Sequence, residues 1–276
     1  MSDNFVLHSS IWREEAAESN PFVASRCFAF GYDVYGEVLP KSSWSEYMLL
    51  LFLGEKPSAE AAMLIEKLAI ALANPGPREP SVRAAMNGGV GGSVDAASLI
   101  AALAVGAGQY GGSHEVALLV EAWNRLGRDL PAWCDYLSHP NRDYREDVWS
   151  PIEHPPGFDP HGVECAQPVL QSLEFLAEVS PGRNLIWLFE QRVALEQHTG
   201  LPITMSAVAA AAFADLGFSS TQAIMMYLML RLPGAAVHAM EQEKLGWKKF
   251  PAYGQAISID NDPGELGVPD VSRFEL

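Results

Sequence analysis

Basic side chains are scarce in this chain. Eighteen Lys and Arg stand against 34 Asp and Glu, a formal net charge of −16 at pH 7. That balance argues against a nucleic-acid groove or a face for an anionic membrane, though a local basic pocket for a phosphorylated ligand stays open to it. Cysteine is scarce as well: Cys27, Cys134 and Cys165, none close to another in sequence. This argues against a disulfide framework or a thiolate metal site and suits a reducing compartment. No uninterrupted apolar run reaches membrane-spanning length, and the first fourteen residues hold no apolar signal core. A soluble cytoplasmic protein with no bound metal is the expectation. What is plentiful is apolar chain: 49% of 276 residues, enough for one large domain or a large and a small one.

The chemistry-bearing stretch is Gly106-Ala-Gly-Gln-Tyr-Gly-Gly-Ser-His-Glu115. It joins an apolar run over 94–105, which reads as a buried helix, to a second helix over 117–123. Its glycines allow close approach of a ligand to backbone. They serve equally for a tight helix–helix turn packed on small residues, and the stretch alone does not choose between the two.

Elsewhere the pattern is helical. Residues 27–39 read as a short hairpin or an extended arm. Ser43 and Glu46 form a capping box for a helix ending at Gly54, apolar nearly all round and therefore expected to be buried. Helices follow over 59–73, 81–86 and 131–136, and then over 167–178, 184–198 and 202–216. A last helical stretch, 222–232, breaks at Pro233-Gly234 and resumes over 235–244. The glycines of 87–92 read as a loop or a ligand-facing turn. Residues 138–162 form a proline-rich loop carrying His154 and His161, and the last thirty residues read as an extended tail. About ten helices and no convincing strand alternation give an all-α class.

The order of these pieces resembles the citrate synthase superfamily, in particular its short citryl-CoA lyase type. Gly31-Tyr-Asp-Val-Tyr-Gly-Glu37 with Ser45-Glu-Tyr-Met-Leu-Leu-Leu-Phe-Leu-Gly-Glu-Lys-Pro57 is similar to that family's N-terminal segment and first helix. Gly111-Gly112 with Glu115 resembles its His-Gly-Gly-Ala-x-Glu turn. The stretch from Leu201-Pro202 to Asp215-Leu-Gly-Phe218 resembles the segment that bears its catalytic aspartate. Arg231-Leu-Pro-Gly234 with His238-Ala-Met-Glu-Gln242 resembles its Arg-x-x-Gly-x-x-x-His motif.

The resemblance implies a large helical domain from 1–125 and 201–276, with a small helical domain over 126–200. It implies an enzyme that makes or breaks a carbon–carbon bond between a CoA thioester and a di- or tricarboxylic acid, with no permanently bound cofactor. A homodimer paired through helices 46–53 and 94–105 also follows from it. The implied site is altered. Tyr110 stands where the family has histidine, and Ser206 where it has the aspartate base. His154 or His161 takes the ketone-polarising place, depending on the register of the loop. His114 replaces a small or amide residue; Arg231, Gly111 and Gly112 match carboxylate- and substrate-binding positions. The alternatives are a non-catalytic acyl-CoA or carboxylate binder, acting as a sensor or a partner subunit, and a helical interaction protein that shares only the architecture.

Overall fold

The computed structural model describes residues 9–139 and 154–250. The chain opens with a three-stranded antiparallel sheet: β1 (Trp12–Ala17), β2 (Asn20–Ala29) and β3 (Tyr32–Asp33). A π-helical turn (Val34–Val38) follows, then α1 (Leu39–Lys41), α2 (Trp44–Leu53), α3 (Ala59–Ala73), α4 (Pro80–Val90), α5 (Asp95–Gly106), α6 (Ser113–Leu126) and α7 (Leu130–Ser138). After the loop come α8 (Gln167–Val179), α9 (Asn184–Thr199), α10 (Met205–Asp215) and α11 (Ser220–Leu245). The class is all-α. The expected helix starts are held by local chemistry: Ser43 and Glu46 cap α2 reciprocally, as Ser219 and Gln222 cap α11. Gly54 and Gly200 end α2 and α9 in the left-handed conformation.

Several details differ from the expectation. The hairpin lies over 12–29, and 34–38 coils into a π-helical turn. There the Asp33 carboxylate accepts the Gly36 N–H at 2.9 Å and pairs with Arg26, drawing the chain out of the extended form. Gly88 and Gly89 belong to helix α4, not to a loop. A Cβ on Gly88 would sit 2.5 Å from the Ser98 hydroxyl, and one on Gly89 2.5 Å from the Ala239 carbonyl oxygen. These glycines let α4 seat closely against α5 and α11. Pro233 does not break α11, which runs unbroken for 26 residues. Proline removes one helical hydrogen bond, but burial of Leu230, Arg231, Gly234 and Ala235 around it holds the helix together.

By length and composition α11 could cross a membrane. In the fold it packs on α3, α4, α5 and α6, with Arg231 and Gln242 buried along it. The two helices expected to be buried are so on one face only. On α5, Ser98, Ala102 and Gly106 are buried, while Ile100 is 63% exposed. On α2, Ser45, Leu49 and Leu50 are buried and Trp44 faces out.

The larger hydrophobic core runs from Leu49 to Leu230, beside a small cluster of Ala85, Ala102, Ala235 and Ala239. The alanines of α10 from Ala209 to Ala212 are fully buried at its centre, and Phe213 stacks on Phe218 with ring centroids 5.4 Å apart. Ala207 of α10 is small as well, and the backbone of the proline-rich loop comes close to it at Gly157. The same closeness makes the α4 glycines critical. Gly89→Ala is expected to lower stability by about 1–3 kcal/mol through overpacking against Ala239, read as a lower urea midpoint.

Candidate functional site

The site grows from the turn between α5 and α6. α5 stops at Gly106, the chain turns through Gly108 and Gly111, and α6 starts after Gly112. Gly111 has φ +62°, and a Cβ on Gly112 would fall on the Gly108 carbonyl oxygen, so these places need glycine. The turn is held from below. The Gly111 carbonyl accepts two hydrogen bonds, from the Tyr227 hydroxyl at 3.1 Å and from Arg231 Nη1 at 3.1 Å.

Arg231 is 6% exposed and lies over the Tyr227 ring. Its other nitrogen, Nη2, pairs with Glu79 Oε1. Expected to hold a carboxylate of a ligand, Arg231 in this structure holds the carboxylate of Glu79. The other oxygen of Glu79 caps α4, accepting the N–H groups of Ser81 and Val82 at 2.9 and 3.0 Å. Burial pushes the Tyr227 phenol up to about 12, so it stays a hydrogen-bond donor. Sequence reasoning missed both Glu79 and Tyr227. The one local signal was Glu79 before Pro80, an acidic group at a helix start.

A second polar group lies deeper. Glu115, in the first turn of α6, is 2% exposed. Its Oε1 accepts the Gly157 N–H at 2.5 Å, and its Oε2 accepts the Ser206 hydroxyl at 3.0 Å. Thr204 Oγ1 lies 2.6 Å from Ser206 Oγ. Burial raises the Glu115 carboxyl above its ordinary value; the Gly157, Ser206 and Gly111 hydrogen bonds and the Arg231 charge offset part of that. Gly157 fits because it has no side chain: a Cβ would come within 2.9 Å of Leu119 and 3.0 Å of Ala207. The loop is zipped to the start of α10 by Asp159 N–H to the Pro202 carbonyl and Thr204 N–H to the Gly157 carbonyl, each 2.9 Å.

That zipper brings His154 to the turn. His154 is 8% exposed, with its ring centroid 5.7 Å from that of Tyr110, which is itself 61% exposed. His161 lies at the exposed end of the same loop, its backbone N–H on Asp159. His114, half-buried beside Glu115, has its Nε2 shielded from solvent with no hydrogen-bond partner. The structure therefore gathers Tyr110, Gly111, Gly112, His114, His154 and Ser206 around one turn. It sets Arg231 behind that turn and leaves His161 on the surface. Arg231→Ala strands Glu79 and removes one support of Gly111. It is expected to cost about 3–5 kcal/mol in chemical denaturation; a loss under about 1 kcal/mol would mark a pair screened by solvent.

No protein-family model matches the sequence, and no curated protein matches it. Solved structures do match in shape. Citryl-CoA lyase from Hydrogenobacter thermophilus superposes with a TM-score of 0.67 at 14% identity, over 94% of this chain and 96% of that one. ATP citrate lyase from Methanothrix soehngenii, solved with citrate and coenzyme A, gives 0.69 at 15% identity, over 96% of this chain and 43% of that one. Citrate synthase from Thermoplasma acidophilum, in a ternary complex with carboxymethyl coenzyme A and oxaloacetate, gives 0.57 at 15% identity, over 80% and 57%. With the order of helices and the glycine turn already in place, these likenesses establish that the chain has the citrate synthase-like fold.

Proposed function

We propose that the chain binds an acyl-CoA thioester and a di- or tricarboxylic acid at the α5–α6 turn and makes or breaks a carbon–carbon bond between them. The observation that carries this reading is the Tyr110–His154 pair, an exposed phenol against a buried imidazole at a glycine turn. Support comes also from solved structures of the same fold, in complex with citrate, oxaloacetate and CoA compounds. The Tyr110 hydroxyl donates to the oxygen of the thioester enolate, and His154 polarises the ketone of the second acid. His114 offers its unpartnered Nε2 to the ligand, since a buried nitrogen without a partner carries a desolvation cost that a bound group relieves. Arg231 keeps the turn in shape, and no catalytic part is assigned to His161. Residues 126–200 act as the small domain that presents His154, and the CoA thioester comes and goes as substrate.

Ser206, standing at the place of the family's aspartate, favours a second reading: a non-catalytic binder of the same ligands. The two separate by experiment. Acetyl-CoA at about 100 times its Kd should stabilise the fold by about 2.7 kcal/mol in thermal unfolding. Tyr110→Phe should keep that binding and lower turnover with keto acids by about 100–1,000-fold. Saturable binding with no bond made or broken supports the binder, and no shift with any CoA compound ends both readings.

We also propose a homodimer in the cytoplasm. The unpaired cysteines suit a reducing compartment. The pairing expected through helices 46–53 and 94–105 is proposed here on α5 with α11 in place of α2: these two pack on each other and expose Ile100, Val105, Met225, Met229, Val237 and Met240, an apolar face that a second copy would cover. Light scattering should give twice the chain mass, and Ile100→Glu with Val105→Glu should halve it without unfolding the protein.

A further inference from the structure

We propose that Glu115 is the proton acceptor of this site, reached from the substrate through the hydroxyls of Thr204 and Ser206 in place of an aspartate at 206. The proposal rests on the thioester binding at the turn. Its geometric basis is independent of that. An ionised carboxylate can only accept, so the Ser206 hydroxyl gives its one hydrogen to Glu115 Oε2 at 3.0 Å. The 2.6 Å contact between Ser206 Oγ and Thr204 Oγ1 must then have Thr204 as donor. Both hydrogens point inward, and the chain ends at a threonine oxygen with open lone pairs.

Burial grades along this line. Glu115 and Ser206 are each 2% exposed, whereas Thr204 is only half-buried. Thr204 is the N-cap of α10, yet its side chain caps nothing. The ordinary use of a threonine there is to accept a helix N–H; this one is spent on Ser206. Negative charge that gathers on its oxygen sits at the positive end of α10.

The groups around Glu115 fit an acceptor. Gly157, Ser206 and Gly111 give it neutral donors. Arg231 of α11 is the cation that acts on it, and that guanidinium is engaged by Glu79. Tyr227, also on α11, is held as a neutral phenol; His114 is the neighbour of Glu115 on α6, and His154 is on the loop that reaches Glu115 through Gly157. Burial without a dedicated cation leaves a carboxylate with raised proton affinity.

The step balances. The C–H bond next to the thioester carbonyl breaks, and its proton goes to Thr204 Oγ1. The Thr204 hydrogen passes to Ser206 Oγ, and the Ser206 hydrogen to Glu115 Oε2. The electron pair of the C–H bond enters the enolate, whose oxygen faces Tyr110. One carboxyl O–H has formed, and the negative charge has moved from Glu115 to the enolate. In the opposite direction Glu115 returns the proton by the same path.

A purely structural Glu115, bridging α6, the Gly157 loop and α10, is the competing account, and Thr204 separates the two. Deuterium exchange into the methyl group of acetyl-CoA is followed by NMR on the full chain, with acetyl-CoA affinity measured by calorimetry. Wild type should exchange, with a rate that rises with pH as Glu115 loses its proton, above the usual carboxylate range. Thr204→Val and Ser206→Ala should each lose about a hundredfold or more while acetyl-CoA still binds. Thr204→Ser should restore exchange, which also controls for folding. Exchange in Thr204→Val at the wild-type rate, or binding without exchange in wild type, overturns the proposal. Absence of acetyl-CoA binding overturns instead the reading of the site. Infrared titration of the ligand-free protein then judges the hydroxyl chain by itself: the protonated-carboxyl band lost in Glu115→Gln should shift in Thr204→Val, and a band that ignores that variant overturns the chain.

Discussion

The buried pair between Arg231 and Glu79 is the contact on which the site depends. It ties α4, α11 and the turn between α5 and α6 together. Glu79 caps α4, Arg231 rises from the middle of α11, and the second arm of its guanidinium reaches the Gly111 carbonyl between α5 and α6. A buried ion pair of this kind adds little net stability compared with apolar packing, because both ions have left water. Its consequence is geometric. The carbonyl of a glycine with positive φ is fixed by two donors, so the residue before it, Tyr110, leaves the turn in one direction. The arginine matches a motif that the resemblance assigns to ligand carboxylates, and here it binds a carboxylate of its own chain.

Around that pair the fold relies on small side chains. Ala207 lets the backbone of the Gly157 loop close onto α10, and Gly88 and Gly89 let α4 settle on its neighbours. Close packing of this sort leaves little space for a change of even one methyl. It is also what buries Glu115. A carboxylate on the first turn of α6 would ordinarily face water. Here Leu119 and Ala207 press against Gly157, and the loop amide replaces the water. The raised proton affinity of Glu115 therefore follows from alanine and glycine at neighbouring positions more than from any charged partner.

The two polar groups divide the labour of the turn. The Glu79–Arg231–Tyr227 set supports it from α11. The Glu115–Ser206–Thr204 set lies on the side of α10 and the loop with His154. Tyr110 and His154 lie at the outer end of both, one exposed and one buried. A turn so supported can hold donor groups still while a charge develops next to them, which is what the proposed enolate chemistry demands.

Much of this was legible along the chain. Capping boxes at Ser43 and Ser219, glycine stops at Gly54 and Gly200, and the apolar periodicity of the helices are local signals, and the helices formed where those signals lay. The glycine turn was legible for the same reason: Gly111 and Gly112 are needed by backbone geometry within a few residues of themselves. What sequence could not decide were the partnerships across long separations. Whether Pro233 breaks α11 depends on how the helix is buried, not on proline alone. Which of His154 and His161 meets Tyr110 depends on a pairing of Gly157 and Asp159 with residues 202–204. Whether Arg231 faces outward or binds Glu79 is settled by an ion pair spanning more than half the chain, and Ser206 meets Glu115 only because α10 packs on α6. Local backbone preferences are written in neighbouring residues; the ownership of a buried charge is set by whichever distant group the packing brings to it.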